Sequence, residues 1–449
     1  MGSHMTESKL FRDQFSTNEM RTIFSDENMV QQWINVEVNL ALVEAELDII
    51  PKEAAEEIKN KGKVELFNFE NMKNGIDHTW HPIVPFIREY NSICENNYGE
   101  FLHWGVTTQD IMDTGMVLQI KDALFVLERD LKEIEKTLCL LAEKHSDTPM
   151  AGRTHGQHAL PITFGYKVAI WASEINRHLE RLTQMKARVL TGNVAGAVGT
   201  LASLGSIGID VQKGINNRLG LENPDIAWHV SRDRFADVTS LLGMIGGTFG
   251  KIANEIIQLQ KTEISELEEP FQMGRIGSST MPQKRNPMAC EAVVGLCRLL
   301  RTQSSLGFET MVQEHERDMG PWQSEWEFIP EMFLLSSAVL YHMKWILGKL
   351  HVYPENMKKN LETSKGLIMS EAIMMKLAEK IGRQEAHDVV YKVAMEAFEN
   401  EKTLRAVLLE NEEVTKILSV NEIDKLLNPL SYIGLSHSFI ENVVKSIEH

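Results

Sequence analysis

Between Met116 and His145 the chain carries neither glycine nor proline, and this stretch constrains the fold more than any other feature. Val117, Leu118, Leu124, Leu127, Leu131, Ile134, Leu138 and Leu141 recur there at the spacing of one helix face. Pro149 lies just beyond the end, where a helix stop is expected. A second long stretch opens at Pro161, a good first helical position, and runs to Leu190 before Gly192. A third runs from about Arg234 to Glu268, with Leu242, Ile245, Phe249, Ile252, Ile256 and Leu259 on one face. A fourth starts near Ala289 and continues past Leu300. Strand alternation is scarce. At 1.5 Å per residue such segments reach roughly 45 Å, which points to an all-α fold built on a bundle of long helices.

With 449 residues the chain exceeds one compact core of ordinary size. The expected division is an N-terminal helical domain over 6–113, a central long-helix bundle over 114–363 and a C-terminal helical domain over 364–449. Met1 to Met5 read as the remnant of an expression tag and are set aside. No apolar run approaches the ~20 residues of a membrane helix, and no basic-then-apolar leader opens the chain. The expectation is a cytoplasmic protein without a membrane partner. Forty-six basic residues against 63 acidic ones give a net charge of −17, which argues against nucleic acid as a partner. A small anionic substrate stays compatible, because a pocket can be positive inside an acidic shell. Cys94, Cys139, Cys290 and Cys297 show no CxxC spacing and read as reduced core thiols. Gly243, Gly246, Gly247 and Gly250 fall inside the third helix and are expected to permit close helix packing. For Gly192, Gly196 and Gly199 the same reading competes with a loop that touches ligand.

The densest chemistry lies in Gly274-Arg-Ile-Gly-Ser-Ser-Thr-Met-Pro-Gln-Lys-Arg-Asn-Pro287. Glycine supplies mobility to its first half, while Pro282 and Pro287 stiffen the second, the composition of a hinged loop. A serine-nucleophile motif fails, because Met281 stands three before Lys284 and no GxSxG elbow occurs. A plain surface loop would not require so tight a mixture of glycine, hydroxyl, amide and cation.

Gly277-Ser278-Ser279-Thr280-Met281-Pro282-Gln283-Lys284-Arg285-Asn286-Pro287 resembles the GSSxMPxKxNP signature of the fumarase/aspartase superfamily. His103-Trp-Gly-Val-Thr-Thr-Gln-Asp110 and Gly152-Arg-Thr-His-Gly-Gln-His158 resemble two further blocks of that superfamily, in the expected order. The resemblance extends from Phe15 to the helices after Gly366, and is strongest to the branch of adenylosuccinate lyase and 3-carboxy-cis,cis-muconate cycloisomerase. It implies a fumarase/aspartase-like all-helical fold and a homotetramer whose composite sites form across subunit boundaries. It also implies removal of a proton beside a carboxylate, then expulsion of a group from the neighbouring carbon with release of fumarate. Ser278 matches the catalytic base, His155 the histidine that assists the leaving group, and His81 a second catalytic histidine. Lys284, Asn286, Thr107 and Thr108 would hold the substrate carboxylate as it becomes an aci-carboxylate, with Ser279 beside them. A serine base needs donors around its alkoxide and a site closed to solvent. No cofactor or metal is implied; His158, three residues from His155, lacks a partner at ligand spacing and reads as a positioning histidine.

Adenylosuccinate lyases carry an Arg-Tyr pair near the N-terminus for the nucleotide phosphate, where this chain has Gln14 and Phe15. They place a serine and another arginine after the stretch matching Glu316-Arg-Asp318, where this chain has Trp322 and Trp326. Each lost charge-assisted contact is worth ~1.5–3 kcal/mol, so adenylosuccinate is the less favoured substrate. Glu314-His-Glu-Arg-Asp-Met-Gly-Pro-Trp-Gln-Ser-Glu-Trp326 and Trp228-His-Val-Ser-Arg-Asp-Arg234 resemble the cycloisomerases, but bacterial cycloisomerases often have tryptophan in place of His155. Retention of both histidines favours elimination with a leaving group that must be protonated. The expected function is reversible β-elimination of fumarate from an N- or S-succinylated small molecule, with 3-carboxy-cis,cis-muconate cycloisomerase action as the alternative. Trp322 would line the leaving-group subsite, and Arg317 would bind a distal carboxylate or form an intersubunit ion pair. A non-catalytic structural relative is the third alternative, and the intact Ser278, Lys284, Asn286 and His155 count against it.

Overall fold

The computed structural model describes residues 4–271, 281 and 283–448. Among them are nineteen α-helices and two small two-stranded antiparallel sheets, so the all-α expectation holds. The long helices are Thr108–Lys144, Phe164–Val189, Asp233–Gln260, Met288–Glu309 and Met319–Gly348. Leu124, Leu127, Leu131, Ile134 and Leu138 of the first are almost fully buried, as their spacing requires.

The chain divides into two compact units. One comprises Met1–Leu131, His178–Phe249 and Gly295–Tyr341, the other Lys132–Arg177, Gly250–Val294 and His342–His449. In the first unit, Leu40 and Val43 of the Asp26–Glu46 helix pack with Val194, Leu204, Val211 and Ile215. Trp33, Phe67, Phe86 and Tyr90 form an aromatic group with ring centroids 5.0–5.9 Å apart. A Cβ on Gly243 would stand 2.7 Å from Ser304, and one on Gly246 3.1 Å from Leu300, so these two glycines do permit close helix packing. In the second unit, Ile373, Leu377, Val389, Val393, Leu404 and Val407 form the centre of a C-terminal helical core.

Two sequence expectations need correction. Pro161 does not open a helix: it lies in β2 (Gln157–Thr163), opposite Ala151 of β1 (Pro149–Thr154), and the helix starts at Phe164. The ladder is irregular between Ala151 and Arg153, and a two-stranded pair of this kind accommodates a residue without an N–H donor. The third helix stops at Gln260 rather than near Glu268. Ser265 takes a left-handed backbone (φ 49°), Glu266 N–H turns back to the Leu259 carbonyl at 2.9 Å, and Leu267–Glu268 pairs with His351–Val352. The Met319–Gly348 helix, with Pro330 in its interior, was not singled out by periodicity.

Candidate active site

His81 lies between two helices. Phe69–Thr79 ends at Trp80, whose backbone is left-handed (φ 56°), and Ile83–Ile93 follows. At that second start, Val84 N–H donates to His81 Nδ1 at 3.1 Å. With Nδ1 accepting, neutral His81 carries its proton on Nε2, which faces the Thr108 hydroxyl at 3.3 Å. Thus the structure brings together two of the sequence-derived residues, His81 and Thr108, in the first unit. Burial lowers the imidazole's pKa below the usual histidine value, and the positive charge of His103 lowers it further.

His103 belongs to the loop that leads into Thr107 and Thr108. Its Nδ1 meets Glu37 Oε1 at 2.6 Å and its backbone N–H donates to Glu37 Oε2 at 2.9 Å. Burial opposes charge on this ring, but the buried Glu37 carboxylate prevails, with Asp110 adding to it, and the pKa is raised. The Glu37 partner of His103 is 66 residues away, and no local pattern announces it.

Arg317 Nε donates to Gln109 Oε1 at 3.0 Å, and another guanidinium nitrogen donates to the Ala197 carbonyl at 2.9 Å. Within its own unit it therefore braces the segment beside Thr108. Trp322 is buried, and its indole N–H donates to Asp113 at 2.9 Å. Asp113 also accepts from Arg232, which is fully buried, bonds Glu325 and lies over the Trp228 and Phe235 rings. Burial raises the pKa of Glu325 and Arg232 opposes the rise. The rings of Trp322 and Trp326 meet edge to face, 5.0 Å between centroids. Both tryptophans line a cavity of about 440 Å³ that also touches His4, Thr6 and Glu7, Ile76 and Pro82 on either side of the His81 segment, Met112, Asp113 and Glu325, while His81, Thr107, Thr108 and Arg317 are not among its lining residues. Among the described residues no lysine or arginine lines it.

The second unit holds His155, Lys284 and Asn286. His155 and Gly156, with φ of 52° and 76°, form the two-residue turn between Thr154 and Gln157, which exposes the imidazole at the tip of the β1–β2 hairpin. His158 is opposite Arg153, which pairs with the buried Glu266 at 2.6 Å. Burial and then the Arg153 charge lower the pKa of His158. Lys284 is exposed and Asn286 half-buried, just before the Met288–Glu309 helix. Glu269 caps that helix by accepting from Ala289 and Cys290 N–H at 3.1 and 2.9 Å. Arg285 turns to Glu268 at 2.8 Å and lies over the Phe271 ring at 4.6 Å. Ser278 and Ser279 lie outside the described residues. Among the described residues metal-ligand spacing occurs at His4, Glu327 and Glu331, with His4 and Glu327 exposed.

Comparison with known proteins bears on this geometry. Residues 12–300 match a family described as lyase, and residues 366–443 match the adenylosuccinate lyase C-terminus. The chain is 43% identical over 444 residues to an N-acetyl-S-(2-succino)cysteine lyase of Enterococcus italicus, covering 99% of this chain and 97% of that one. It is 41% identical over 438 residues to an adenylosuccinate lyase of Methanocaldococcus jannaschii, covering 97% and 95%. Among solved structures it is similar to a 3-carboxy-cis,cis-muconate lactonizing enzyme from Pseudomonas putida. That match has a TM-score of 0.92 at 34% identity, covering 98% of this chain and 99% of the other.

Proposed function

The chain belongs to the fumarase/aspartase superfamily and is a fumarate-releasing lyase, and from that premise we propose that it cleaves the carbon–sulfur bond of an S-succinylated cysteine derivative. The observation that carries the choice of leaving group is the cavity beside the His81 segment, walled by Trp322 and Trp326, where Asp113 and Glu325 already engage Arg232 and no lysine or arginine is among the described lining residues. A nucleotide phosphate brought there would lose its hydration without gaining a cationic partner. A cysteine-derived chain carries no phosphate and only one carboxylate, for which Arg317 keeps free donors. The N-acetyl-S-(2-succino)cysteine lyase relative supports the same choice.

In this reading Ser278, as an alkoxide, removes the proton from the carbon beside the substrate carboxylate. The electron pair moves into that carboxylate, where Lys284, Asn286, Ser279 and the hydroxyls of Thr107 and Thr108 donate to the developing charge. The pair then returns to form the carbon–carbon double bond of fumarate as the carbon–sulfur bond breaks. The sulfur leaves with a proton from His155, after which the serine loses its proton to solvent and His155 regains one from it. A thiol with an ordinary pKa near 8.5 is an easier leaving group than an amine, so the demand on His155 is modest. His81, its proton fixed on Nε2, donates to the Thr108 oxygen and so turns the Thr108 hydroxyl proton toward the substrate carboxylate. Arg317, already bound to Gln109 and Ala197, presents its remaining donors to a second carboxylate. The site is completed across subunits of a homotetramer in the cytoplasm, without cofactor or metal.

Reversibility supplies the test. The protein is incubated with fumarate and, separately, with cysteine, N-acetylcysteine, ammonia, lysine, aspartate and AMP, and adducts are sought by mass spectrometry. Thioether adducts with the two thiols are expected. An adduct with AMP or aspartate alone would sink the thioether choice, and none at all would move the assignment to cycloisomerase action on carboxymuconate.

A further inference from the structure

The Asp110 side chain is fully buried and receives four donors. Thr107 N–H reaches Oδ2 at 3.0 Å and Gly196 N–H reaches it at 2.8 Å. Ala195 N–H reaches Oδ1 at 3.1 Å, and His229 Nε2 lies 2.7 Å from the same oxygen. A carboxylate offers about four lone-pair sites, so this set saturates it. Asp110 stands three residues after Thr107 at the start of the Thr108–Lys144 helix, and its bond to Thr107 N–H is one half of a capping box. A cap accounts for one donor. The other three come from segments more than 80 residues away and serve no need of the helix.

The adjacent residue is tied in the same direction. Gln109 Nε2 donates to the His229 carbonyl at 2.9 Å, and its Oε1 accepts from Arg317, which also holds the Ala197 carbonyl. Thus the two residues after Thr107–Thr108 are fastened to His229 and to the 195–197 backbone. The Thr108 hydroxyl faces His81.

We propose that Asp110 and His229 are a positioning pair for the elimination: they lock the Thr107–Thr108 step against the 195–197 loop, so that the Thr108 hydroxyl has one orientation between His81 and the substrate carboxylate. The pair touches neither substrate nor reacting atoms and acts through Thr108. This inference rests on the assignment of Thr108 as a carboxylate ligand. In Asp110→Asn one oxygen becomes an NH2 group facing N–H donors, so bonds on that side are lost while size is kept. A shift of about 1 Å at a catalytic group costs on the order of 100-fold in rate.

The experiment is a double-mutant cycle on fumarate release by the intact enzyme, from the thioether substrate found in the reverse reaction. Thr108→Ala, Asp110→Asn, His229→Leu and His229→Gln are measured singly, and the Asp110 and His229 changes again on the Thr108→Ala background. Asp110→Asn and His229→Leu are expected to lower kcat/KM by about 30- to 100-fold in the natural background, and by less than about 3-fold once Thr108 is alanine. His229→Gln, whose amide can still donate to Oδ1, is expected to recover most of the loss. Equal fold losses in both backgrounds would show a general structural role and overturn the pair. Full activity of His229→Leu would do the same, and that variant carries the test if Asp110→Asn does not fold. Full activity of Thr108→Ala would overturn the inference by removing the assignment beneath it, an outcome distinct from additive losses.

Discussion

Glu44, in the Asp26–Glu46 helix, has no solvent exposure, and among the described residues neither of its carboxylate oxygens has a hydrogen-bond partner. Burial, and secondly the charge of Glu37, push its pKa from 4.5 up to about 9. Between those values the fold holds the carboxyl protonated while the unfolded chain ionises. The unfolded state therefore binds fewer protons, and stability falls as pH rises through that window. The slope for one group is about 1.4 kcal/mol per pH unit, so at pH 7 the carboxyl costs the fold about 3 kcal/mol relative to pH 4.5. Glu44→Met keeps a similar volume and removes the titration. Urea unfolding at fixed protein concentration, followed by tryptophan fluorescence from pH 5 to pH 8, tests this. The variant should gain on the parent steadily, by about 4 kcal/mol across that range. Parallel stability curves would mean that Glu44 is ionised in the fold, and would refute the reasoning.

Arg232→Met leaves Asp113 and Glu325 buried without their cation and should destabilise the protein by about 3–5 kcal/mol; a loss under ~1 kcal/mol by denaturant unfolding would contradict this. If turnover needs neutral His81, the acid limb of kcat/KM against pH lies below the usual histidine value, because burial and His103 disfavour its charged form. Glu37→Gln frees His103 from its charged state, so that limb should move upward; an unmoved limb would exclude the coupling. Ser278→Ala should abolish fumarate release while leaving the assembly state unchanged by light scattering, and near-normal activity would remove the base assignment. Lys284→Met should lower kcat by on the order of 100- to 1000-fold, the usual cost of one donor to a developing oxyanion.

The helices were legible because burial on one face imposes a 3.6-residue period, and Leu124, Leu131 and Leu138 all reach the interior. The β1–β2 hairpin was not, since Pro161 carries the same signal at a helix start as in an irregular strand pair. The His155-Gly156 step, with glycine at the second turn position, was the available clue. The Met319–Gly348 helix is apolar around much of its surface and contains Pro330, so it shows neither a clean stripe nor a breaker-free run. The signature over 277–287 named most candidate residues at once, as a local motif can. The Glu37–His103 pair, the Asp110 clamp and the Arg232 network join residues far apart in the chain. Only Thr107-x-x-Asp110, at capping-box spacing, hinted at one of them.

The most direct test of the account compares kcat/KM for fumarate release from S-(2-succinyl)cysteine, its N-acetyl form and adenylosuccinate, followed by the absorbance of fumarate. Two missing charge-assisted contacts to phosphate predict a preference of about 100-fold or more for a thioether substrate. Equal or better turnover of adenylosuccinate would contradict the claim that this cavity receives a phosphate-free, sulfur-bearing chain.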